Sequence, residues 1–271
     1  MIRFVIFVST GNDGTAMCQW AYEQNLTDVA VVYTDTGWSA EGWSERVDKF
    51  ETWVQSMGWE FHRTHSIGFA ELARRKKGFP TQRYQWCSYV LKIEPGERWL
   101  AENDPDKIAI CLVGVRREES QDRANFPLFL LNSENHGGRV MVAPMAQWNE
   151  ETRNSYILRA GWDILPHRSR ECKCINSKKA DIQRFTDKDR EDIRSLENEI
   201  GRPLFRPHRH LGAKGIDEMI KWANSSHGGY RAARDSELML FPDEPNAMNQ
   251  MDDLPEENIS GGCDTFGGCG T

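Results

Sequence analysis

The sequence has no long hydrophobic segment. No stretch approaches the roughly 18 consecutive apolar residues that a membrane-spanning helix requires. The opening residues, MIRFVIFVST, carry one positive charge, but their apolar run is too short for a secretion signal and no small-residue cleavage site follows it. We therefore expect a cytoplasmic protein without a membrane partner.

An excess of positive charge is also missing. The 34 Lys and Arg residues are outnumbered by 41 Asp and Glu residues, which gives a net charge of −7 and disfavours tight non-specific binding to nucleic acid. Residues 61–100 are an exception, with eight basic residues against three acidic ones. We expect this local basic region to favour phosphate-rich ligands. The acidic residues 242–258 are expected to form an exposed connector.

A disulfide framework is not expected either. The seven cysteines are an odd number in a chain without a secretion signal, which favours metal or redox chemistry. Cys18 and Cys111 fall in apolar patterns, where cysteine usually acts as a small hydrophobic residue. The others lie in polar or glycine-rich surroundings and are the candidate metal ligands: Cys87, Cys172, Cys174, Cys263 and Cys269.

Short apolar runs alternate with amphipathic patterns through the first 165 residues. Strands are predicted at residues 3–8, 28–33, 59–65, 107–113 and 139–143, and helices at 17–25, 41–57 and 149–160. This alternation is typical of a doubly wound parallel α/β sheet covered by helices. We expect one nucleotide-binding α/β domain over residues 1–165 and a cysteine-bearing, mostly helical region over residues 166–271.

Three polar clusters follow predicted strands, at residues 9–15, 35–37 and 114–120. Ligands of open parallel sheets bind at the carboxyl ends of the strands. In the first cluster, glycines let backbone amides approach a ligand, and the dipole of the following helix favours an anion, so phosphate is the expected guest. Ordinary turn formation and helix capping are the alternative for each cluster taken alone.

The first cluster, Ser-Thr-Gly-Asn-Asp-Gly-Thr, resembles the SGGKDS pyrophosphate loop of the adenine nucleotide α-hydrolases. Residues 35–37 are similar to the DTG motif of that superfamily, residues 83–95 to its R-x-C-T-x-x-x-K-x-x-P segment, and residues 114–120 to its GxRxxES loop. Pro144, Trp148 and Gly161 fall where the superfamily has a P-x-x-x-W…G helix. Over residues 3–185 the chain is identified as a member of the phosphoadenosine phosphosulfate (PAPS) reductase family. That family lies within the PP-loop superfamily, which also holds tRNA thiolation and DNA phosphorothioation enzymes.

The resemblance implies a site for ATP or PAPS, with Mg²⁺ on the nucleotide. Lys92, Arg116 and Glu119 are the implied catalytic residues, the first two at the phosphates and the third positioning the nucleotide or the acceptor. Asp13 and Asp35 are candidate Mg²⁺ ligands, with capping and turn formation as the alternatives. The implied nucleotide-binding residues are Ser9, Thr10, Gly11, Asn12, Asp13, Gly14, Thr15, Asp35, Thr36, Gly37, Arg83, Gly114 and Ser120.

Two positions of the first loop depart from the family pattern. Asn12 stands where the family has Lys, and Gly14 stands where it has its second Ser. Thr15 is the candidate to supply the missing hydroxyl. Compensating positive charge is expected from Arg83, Lys92 and Arg116.

The spacing of the cysteines resembles a cluster-binding arrangement. Cys87 precedes Cys172 by 85 residues, and adenylyl-sulfate (APS) reductases and related thiolation enzymes carry a cysteine about eighty residues before a CxxC pair. Here the pair formed by Cys172 and Cys174 is one residue shorter. The resemblance implies an iron–sulfur cluster of the 4Fe-4S type, with zinc as the alternative. Cys263 and Cys269 either join the pair in a metal site, or Cys269 is a catalytic nucleophile.

The resemblance implies an enzyme with sulfur-transfer or reductase chemistry. The favoured activity is ATP-dependent adenylation coupled to sulfur transfer, with a sulfur donor as partner and tRNA, DNA or a small molecule as acceptor. The alternative is reduction of PAPS or APS to sulfite by Cys269, with a thiol-reductant protein as partner. A third alternative is a non-catalytic nucleotide-binding module held together by zinc.

Overall fold

The computed structural model of the protein describes residues 2–81, 84–205 and 215–226. Its contacts divide the chain into two compact units. Among the described residues, the first unit comprises those of Met1–Phe69 and Gln85–Cys172, and the second those of Ala70–Tyr84 and Lys173–Ser260. Three of the predicted site residues lie outside the described ranges: Arg83, Cys263 and Cys269.

The first unit is a six-stranded sheet with helices on both faces. Its strands are β1 (Phe4–Val8), β2 (Val29–Asp35), β3 (Glu60–His65), β4 (Ile110–Leu112), β5 (Phe129–Ser133) and β6 (Arg139–Val142). The helices that accompany them are α1 (Asn12–Glu23), α2 (Trp43–Ser56), α3 (Phe69–Lys76), α4 (Trp86–Ser88), α5 (Glu94–Asn103) and α6 (Glu150–Arg159). A π-helical turn over Tyr89–Ile93 joins α4 to α5, and all of α3 after its first residue belongs to the second unit.

The strand order of the sheet is β3-β2-β1-β4-β6-β5. Strand β1 pairs in parallel with both β2 and β4, so that Phe4 stands opposite Val29 on one side and Ile110 on the other. The β2–β3 and β4–β6 pairs are also parallel, and β5, which the sequence does not predict, runs antiparallel to β6 at one edge. The prediction of a doubly wound, mostly parallel sheet is confirmed. The order reverses between β1 and β4, the point at which such sheets bind ligands.

The central strands are buried on both faces. Ile6 of β1 packs with α1 and α2, where Met17 and Phe50 are fully buried. Val5, whose side chain points to the opposite face, packs with Leu100 of α5. Burial on both sides explains why β1 is an unbroken apolar run in the sequence. Each such side chain contributes about 1.5–3 kcal/mol to stability.

The second unit is helical in its described part. It contains most of α3 together with α7 (Lys179–Gln183), α8 (Asp187–Ile200) and α9 (Ile216–Ala223). Helix α8 begins with a capping box, in which Thr186 and Asp189 exchange two side chain–backbone hydrogen bonds of 3.1 Å. None of the helices in the described ranges is both long and apolar enough to cross a bilayer. The prediction of a mostly helical region after the sheet is confirmed.

A buried ionic cluster follows α5 in the first unit. Arg139 is 2% exposed, and it donates to Asp104 Oδ2 at 2.6 Å and to the carbonyl of His136 at 3.1 Å. The Nδ1 atom of His136 lies 2.8 Å from the hydroxyl of Ser133. Burial, assisted by the positive charge of Arg139, lowers the pKa of His136 to about 4. The imidazole is therefore neutral in the folded protein even in mild acid.

We expect His136 to make folding less favourable as the pH falls. The unfolded chain binds a proton at the ordinary histidine pKa of 6.5, whereas the folded chain binds it only near 4. The stability linked to this group is therefore complete above pH 6.5 and is lost as the pH falls through the folded pKa, with a total of about 3 kcal/mol. The measurement is the free energy of unfolding in urea across this pH range.

His136→Asn should make the free energy of unfolding less dependent on pH between 6.5 and about 4. Parallel profiles for the wild type and His136→Asn would contradict the account.

Candidate nucleotide-binding site

The three polar clusters meet at the carboxyl ends of the central strands. Residues 9–15 follow β1, residues 114–120 come after β4, and residues 35–37 begin at the last residue of β2. Because β1 pairs with both β2 and β4, the first cluster lies beside each of the other two. A β-carbon on Gly114 would lie 3.8 Å from Cβ of Asp13, so the loops after β1 and β4 are in close contact.

A short turn connects β1 to α1. Thr10 is fully buried and adopts a left-handed φ of 60°, which is uncommon for a residue with a side chain. Helix α1 then begins at Asn12, and no side chain of the described residues caps it. Its first amide groups and the positive end of its dipole are therefore available to a ligand. This arrangement suits a phosphate group.

Gly11 and Gly14 allow close packing around this turn. A β-carbon on Gly11 would lie 3.1 Å from Cβ of Ser169, and one on Gly14 would lie 3.3 Å from Cβ of Val8. Both distances are shorter than ordinary van der Waals contacts. A side chain at either position would push the turn away from β1 or from residue 169.

Asn12 and Thr15 hold the loop through backbone groups. The side chain of Asn12 exchanges two hydrogen bonds with the main chain of Leu165, at 3.0 and 2.9 Å. Thr15 donates its hydroxyl to the carbonyl of Gly11 at 3.0 Å. Both side chains thus stabilise the loop itself, and their contacts with a nucleotide stay predictions.

Asp13 belongs to a series of ion pairs that links α1 to the loop after β4. Arg116 is 5% exposed and donates to Asp13 Oδ1 at 2.9 Å and to Glu119 Oε1 at 3.2 Å. Glu119 also pairs with Arg123, and Arg153 Nη1 lies 4.0 Å from Asp13. These charges neutralise one another. The predicted contacts of Asp13 with Mg²⁺ and of Arg116 with phosphate would have to compete with these pairs.

The loop after β4 ends at Ser120. Its hydroxyl is buried and has no hydrogen-bond partner within the part of the chain that the structure describes. A buried hydroxyl without a partner is unfavourable, because it has given up its bonds to water. A bound ligand group would satisfy it, which is consistent with the predicted role of Ser120.

The second cluster is a tight turn after β2. Asp35 accepts a hydrogen bond from the N–H of Gly37 at 2.8 Å, and Gly37 has a left-handed φ of 61°. Thr36 is buried and donates its hydroxyl to the carbonyl of Glu171 at 2.9 Å. The Asp35 side chain is 42% exposed. Of the two predicted Mg²⁺ ligands, Asp35 is therefore the more open to solvent.

A small, partly open pocket lies at the ends of β1 and β2. It is lined by Phe7, Val8, Ser9, Val32, Thr34, Lys92 and Glu171. Lys92 extends from the π-helical turn, a conformation that is frequent at functional sites. Its Nζ contacts the carboxylate of Glu171, to which Ser169 also donates. The Lys92 side chain is 12% exposed and that of Glu171 2%, so the cation of the pocket is neutralised by a buried carboxylate.

The described cysteines are of two kinds. Cys18 and Cys111 are fully buried, and burial raises the pKa of both thiols, to about 12 for Cys111. This supports their interpretation as apolar residues. Cys87 and Cys172 are half-buried in the first unit, and Cys174 is half-buried in the second.

A metal site is not formed by the residues that the structure describes, in which no three His, Cys, Asp or Glu side chains are grouped to hold an ion. The predicted metal set includes Cys263 and Cys269, which lie outside the described ranges. The set of five cysteines therefore stays a prediction.

Sequence reasoning misses two residues of the site. Glu171 is the counter-ion of Lys92, although 79 residues separate the two. Arg46 of α2 donates to the carbonyl of Thr10 at 2.6 Å. Glu171 does precede Cys172 in a segment that the cysteine spacing singles out, but Arg46 has no comparable signal. Pairs this distant in the chain leave no local pattern.

Comparison with known proteins gives one family. The phosphoadenosine phosphosulfate reductase domain matches residues 3–175. The matched region includes all three polar clusters, Lys92 and Cys172.

Curated relatives match parts of the chain. An uncharacterized protein of Methanocaldococcus jannaschii is 33% identical over 132 residues, which are 49% of this chain and 26% of that protein. Phosphoadenosine 5'-phosphosulfate reductase of Photorhabdus laumondii is 24% identical over 166 residues, 60% of this chain and 64% of that protein. Adenosine 5'-phosphosulfate reductase of Streptomyces coelicolor is 31% identical over 75 residues, 28% of this chain and 29% of that protein. The chain thus spans less than two thirds of each of these relatives.

Two solved structures are distantly similar. The PAPS reductase of Candida auris in complex with phosphate is 16% identical, with a TM-score of 0.42 and coverage of 60% of this chain and 74% of that one. The U34-tRNA thiolase NcsA of Methanococcus maripaludis, with its 4Fe-4S cluster, is 11% identical, with a TM-score of 0.44 and coverage of 82% and 71%. The family match alone covers well over half of the sequence, and the chain belongs to the phosphoadenosine phosphosulfate reductase domain family.

Proposed function

We propose that the protein is an enzyme that binds an adenine nucleotide with its phosphates over residues 9–15. It acts at the α-phosphate, and the reaction is ATP-dependent adenylation coupled to sulfur transfer. The observation that carries the proposal is the position of the α1 N-terminus and of Lys92 at the carboxyl end of the central strands. The helix N-terminus favours an anion there, and Lys92 would do so on exchanging Glu171 for the phosphate.

Backbone groups supply most of the proposed phosphate contacts. Residues 9–15 contain no basic residue, so the loop has no cation of its own. Lys92 is the basic residue among those that line the pocket. Ser9 lines the pocket beside it. Asp35, with its exposed carboxylate, is the proposed ligand for Mg²⁺ on the nucleotide.

In adenylation, an oxygen of the acceptor attacks the α-phosphorus of ATP, and pyrophosphate leaves. Negative charge gathers on the phosphate oxygens in the transition state, and a fixed cation such as Lys92 stabilises it. A sulfur nucleophile from a donor protein then displaces AMP, so that the acceptor gains sulfur. The proposed acceptor is a tRNA, a DNA or a small molecule.

The half-buried thiols are the proposed metal ligands. Cys87 and Cys172 in the first unit and Cys174 in the second differ from the fully buried Cys18 and Cys111, whose raised pKa disfavours the thiolate that a metal needs. Thiolates suit iron–sulfur clusters and zinc. A 4Fe-4S cluster would supply the sulfur chemistry, and zinc would act as a structural ion.

A second candidate function is the reduction of PAPS or APS. The two relatives with assigned names are reductases of these compounds. In this reaction the Cys269 thiolate would attack the sulfate sulfur, and the nucleotide would leave with its phosphate oxygen. A thiol-reductant protein would then release sulfite by forming a disulfide with the cysteine.

Metal analysis of anaerobically purified protein tests the cysteine ligands. We expect iron, acid-labile sulfide and broad absorbance near about 400 nm, as thiolate-bound iron clusters show. The signal should be lost in Cys172→Ser/Cys174→Ser and kept in the control Cys18→Ala. Stoichiometric zinc without colour would contradict the cluster and favour the reductase or a non-catalytic module.

Product analysis separates the two reactions. Adenylation coupled to sulfur transfer predicts pyrophosphate from ATP in the presence of the acceptor, and release of AMP when the sulfur donor is added as well. Reduction predicts sulfite from PAPS or APS, dependent on a thiol reductant and abolished in Cys269→Ser. Bound nucleotide without either product would overturn the proposal of an enzyme.

Removing Lys92 and removing Glu171 should have unequal effects on the stability of the protein. Lys92→Met leaves a carboxylate that is 2% exposed without its cation, whereas Glu171→Gln leaves an amine that is 12% exposed and can reach water. We expect Lys92→Met to lower the free energy of unfolding by about 3–5 kcal/mol and Glu171→Gln to lower it by less. Urea unfolding of both variants is the measurement.

The double variant Lys92→Met/Glu171→Gln should recover part of the loss, because it removes both charges. The control is Arg75→Met, which breaks an exposed pair with Glu71 and should change stability by less than about 1 kcal/mol. Two results together would contradict this pairing. The single variants would lose equal amounts of unfolding free energy, and the double variant would lose the sum of the two amounts.

A further inference from the structure

Arg46 lies on α2, and it contacts the turn between β1 and α1. Its Nε donates to the carbonyl of Thr10 at 2.6 Å, and its Nη2 lies 3.5 Å from the hydroxyl of Thr15. The guanidinium therefore spans the turn from one end to the other. No motif of the sequence points to it.

The acceptor of this bond is a strained residue. Thr10 is fully buried in the left-handed region, and its hydroxyl has no hydrogen-bond partner among the residues that the structure describes. Such a conformation costs about 1–3 kcal/mol and persists only where the surroundings hold it. Here the hydrogen bond from the charged guanidinium of Arg46 to the Thr10 carbonyl holds this backbone conformation.

The bond also fixes the direction of the next amide. No described residue has a cis peptide bond, and in a trans peptide the carbonyl and the following N–H point in opposite directions. With the Thr10 carbonyl directed at Arg46, the N–H of Gly11 points away from α2. Gly11 is the residue immediately before α1, so this N–H belongs to the proposed phosphate-binding turn.

The surroundings of Arg46 keep it in place. Its guanidinium carbon lies 5.6 Å from the ring centre of Trp43 and 4.7 Å from that of Trp162, within the range of cation–π attraction. Burial lowers the pKa of Arg46 to about 10, and the opposite charge of Asp163 limits the decrease. The guanidinium therefore stays charged at neutral pH.

We propose that Arg46 is a positioning residue of the nucleotide site, which holds residues 9–11 in the conformation that receives a phosphate group. The inference rests on the proposed nucleotide binding but adds a residue of α2 to it. Arg46 acts through the Thr10–Gly11 peptide and does not itself touch the nucleotide.

The test compares ATP and inorganic pyrophosphate binding by calorimetry in the full chain and in two variants. Arg46→Met should weaken binding of both ligands by about tenfold, since a hydrogen bond from a charged donor contributes at this level. Arg46→Lys should recover part of the affinity, because the amine still donates to the Thr10 carbonyl. The control Arg63→Met removes another arginine that contacts α2, through Asp48 and Glu51, and should bind as the wild type does.

Hydrogen exchange of the Gly11 amide without ligand gives a readout that does not need nucleotide binding. We expect exchange at Gly11 to accelerate in Arg46→Met more than in the middle of α2, and Arg46→Lys to restore it. Folded Arg46→Met with wild-type affinity and wild-type exchange at Gly11 would overturn the inference. A wild-type protein that binds neither ligand would instead overturn the proposed function, while exchange at Gly11 would still test the role of Arg46 in the turn.

Discussion

The parallel pairing of β1 with both β2 and β4 is the constraint on which the rest of the site depends. It places the carboxyl ends of three buried strands at one edge and gives each strand a polar loop there. Gly14 allows α1 to pack directly on β1, and three residues separate the end of the strand from the start of the helix. The helix N-terminus, the turn before it and the loop after β4 are therefore brought together by the sheet.

Charge in this region is almost entirely paired. Arg116 lies between Asp13 and Glu119, and Lys92 contacts Glu171. Arg46 differs from these residues, because its hydrogen bonds go to the carbonyl of Thr10 and the hydroxyl of Thr15. An incoming phosphate would gain its first contacts from backbone amides and would take Lys92 only by displacing a buried carboxylate. Affinity at such a site depends on how rigidly the amides are presented, which makes the conformation of residues 9–11 decisive.

The parts of the fold that follow from the sequence are those with contiguous patterns. The apolar run of β1, the glycines after it and the helical pattern of α1 predict the loop, and the family resemblance follows from the same segments.

The sequence predicts β4 over residues 107–113, but β4 covers Ile110–Leu112, because the amides of Ile108 and Ala109 bond to the Asp104 carboxylate. It does not predict β5, an edge strand that is exposed over most of its length and lacks alternation. Contacts such as Lys92 with Glu171 join residues far apart in the chain, which no local pattern encodes.

The central claim is that the phosphates of an adenine nucleotide bind over residues 9–15. Hydrogen exchange of the full chain, measured by mass spectrometry with and without saturating ATP or PAPS, tests it most directly. The account predicts slower exchange in peptides that contain residues 9–15 and 113–120, with α8 unchanged. Unchanged exchange in both loops at a nucleotide concentration shown to saturate the protein, or protection confined to other segments, would contradict it.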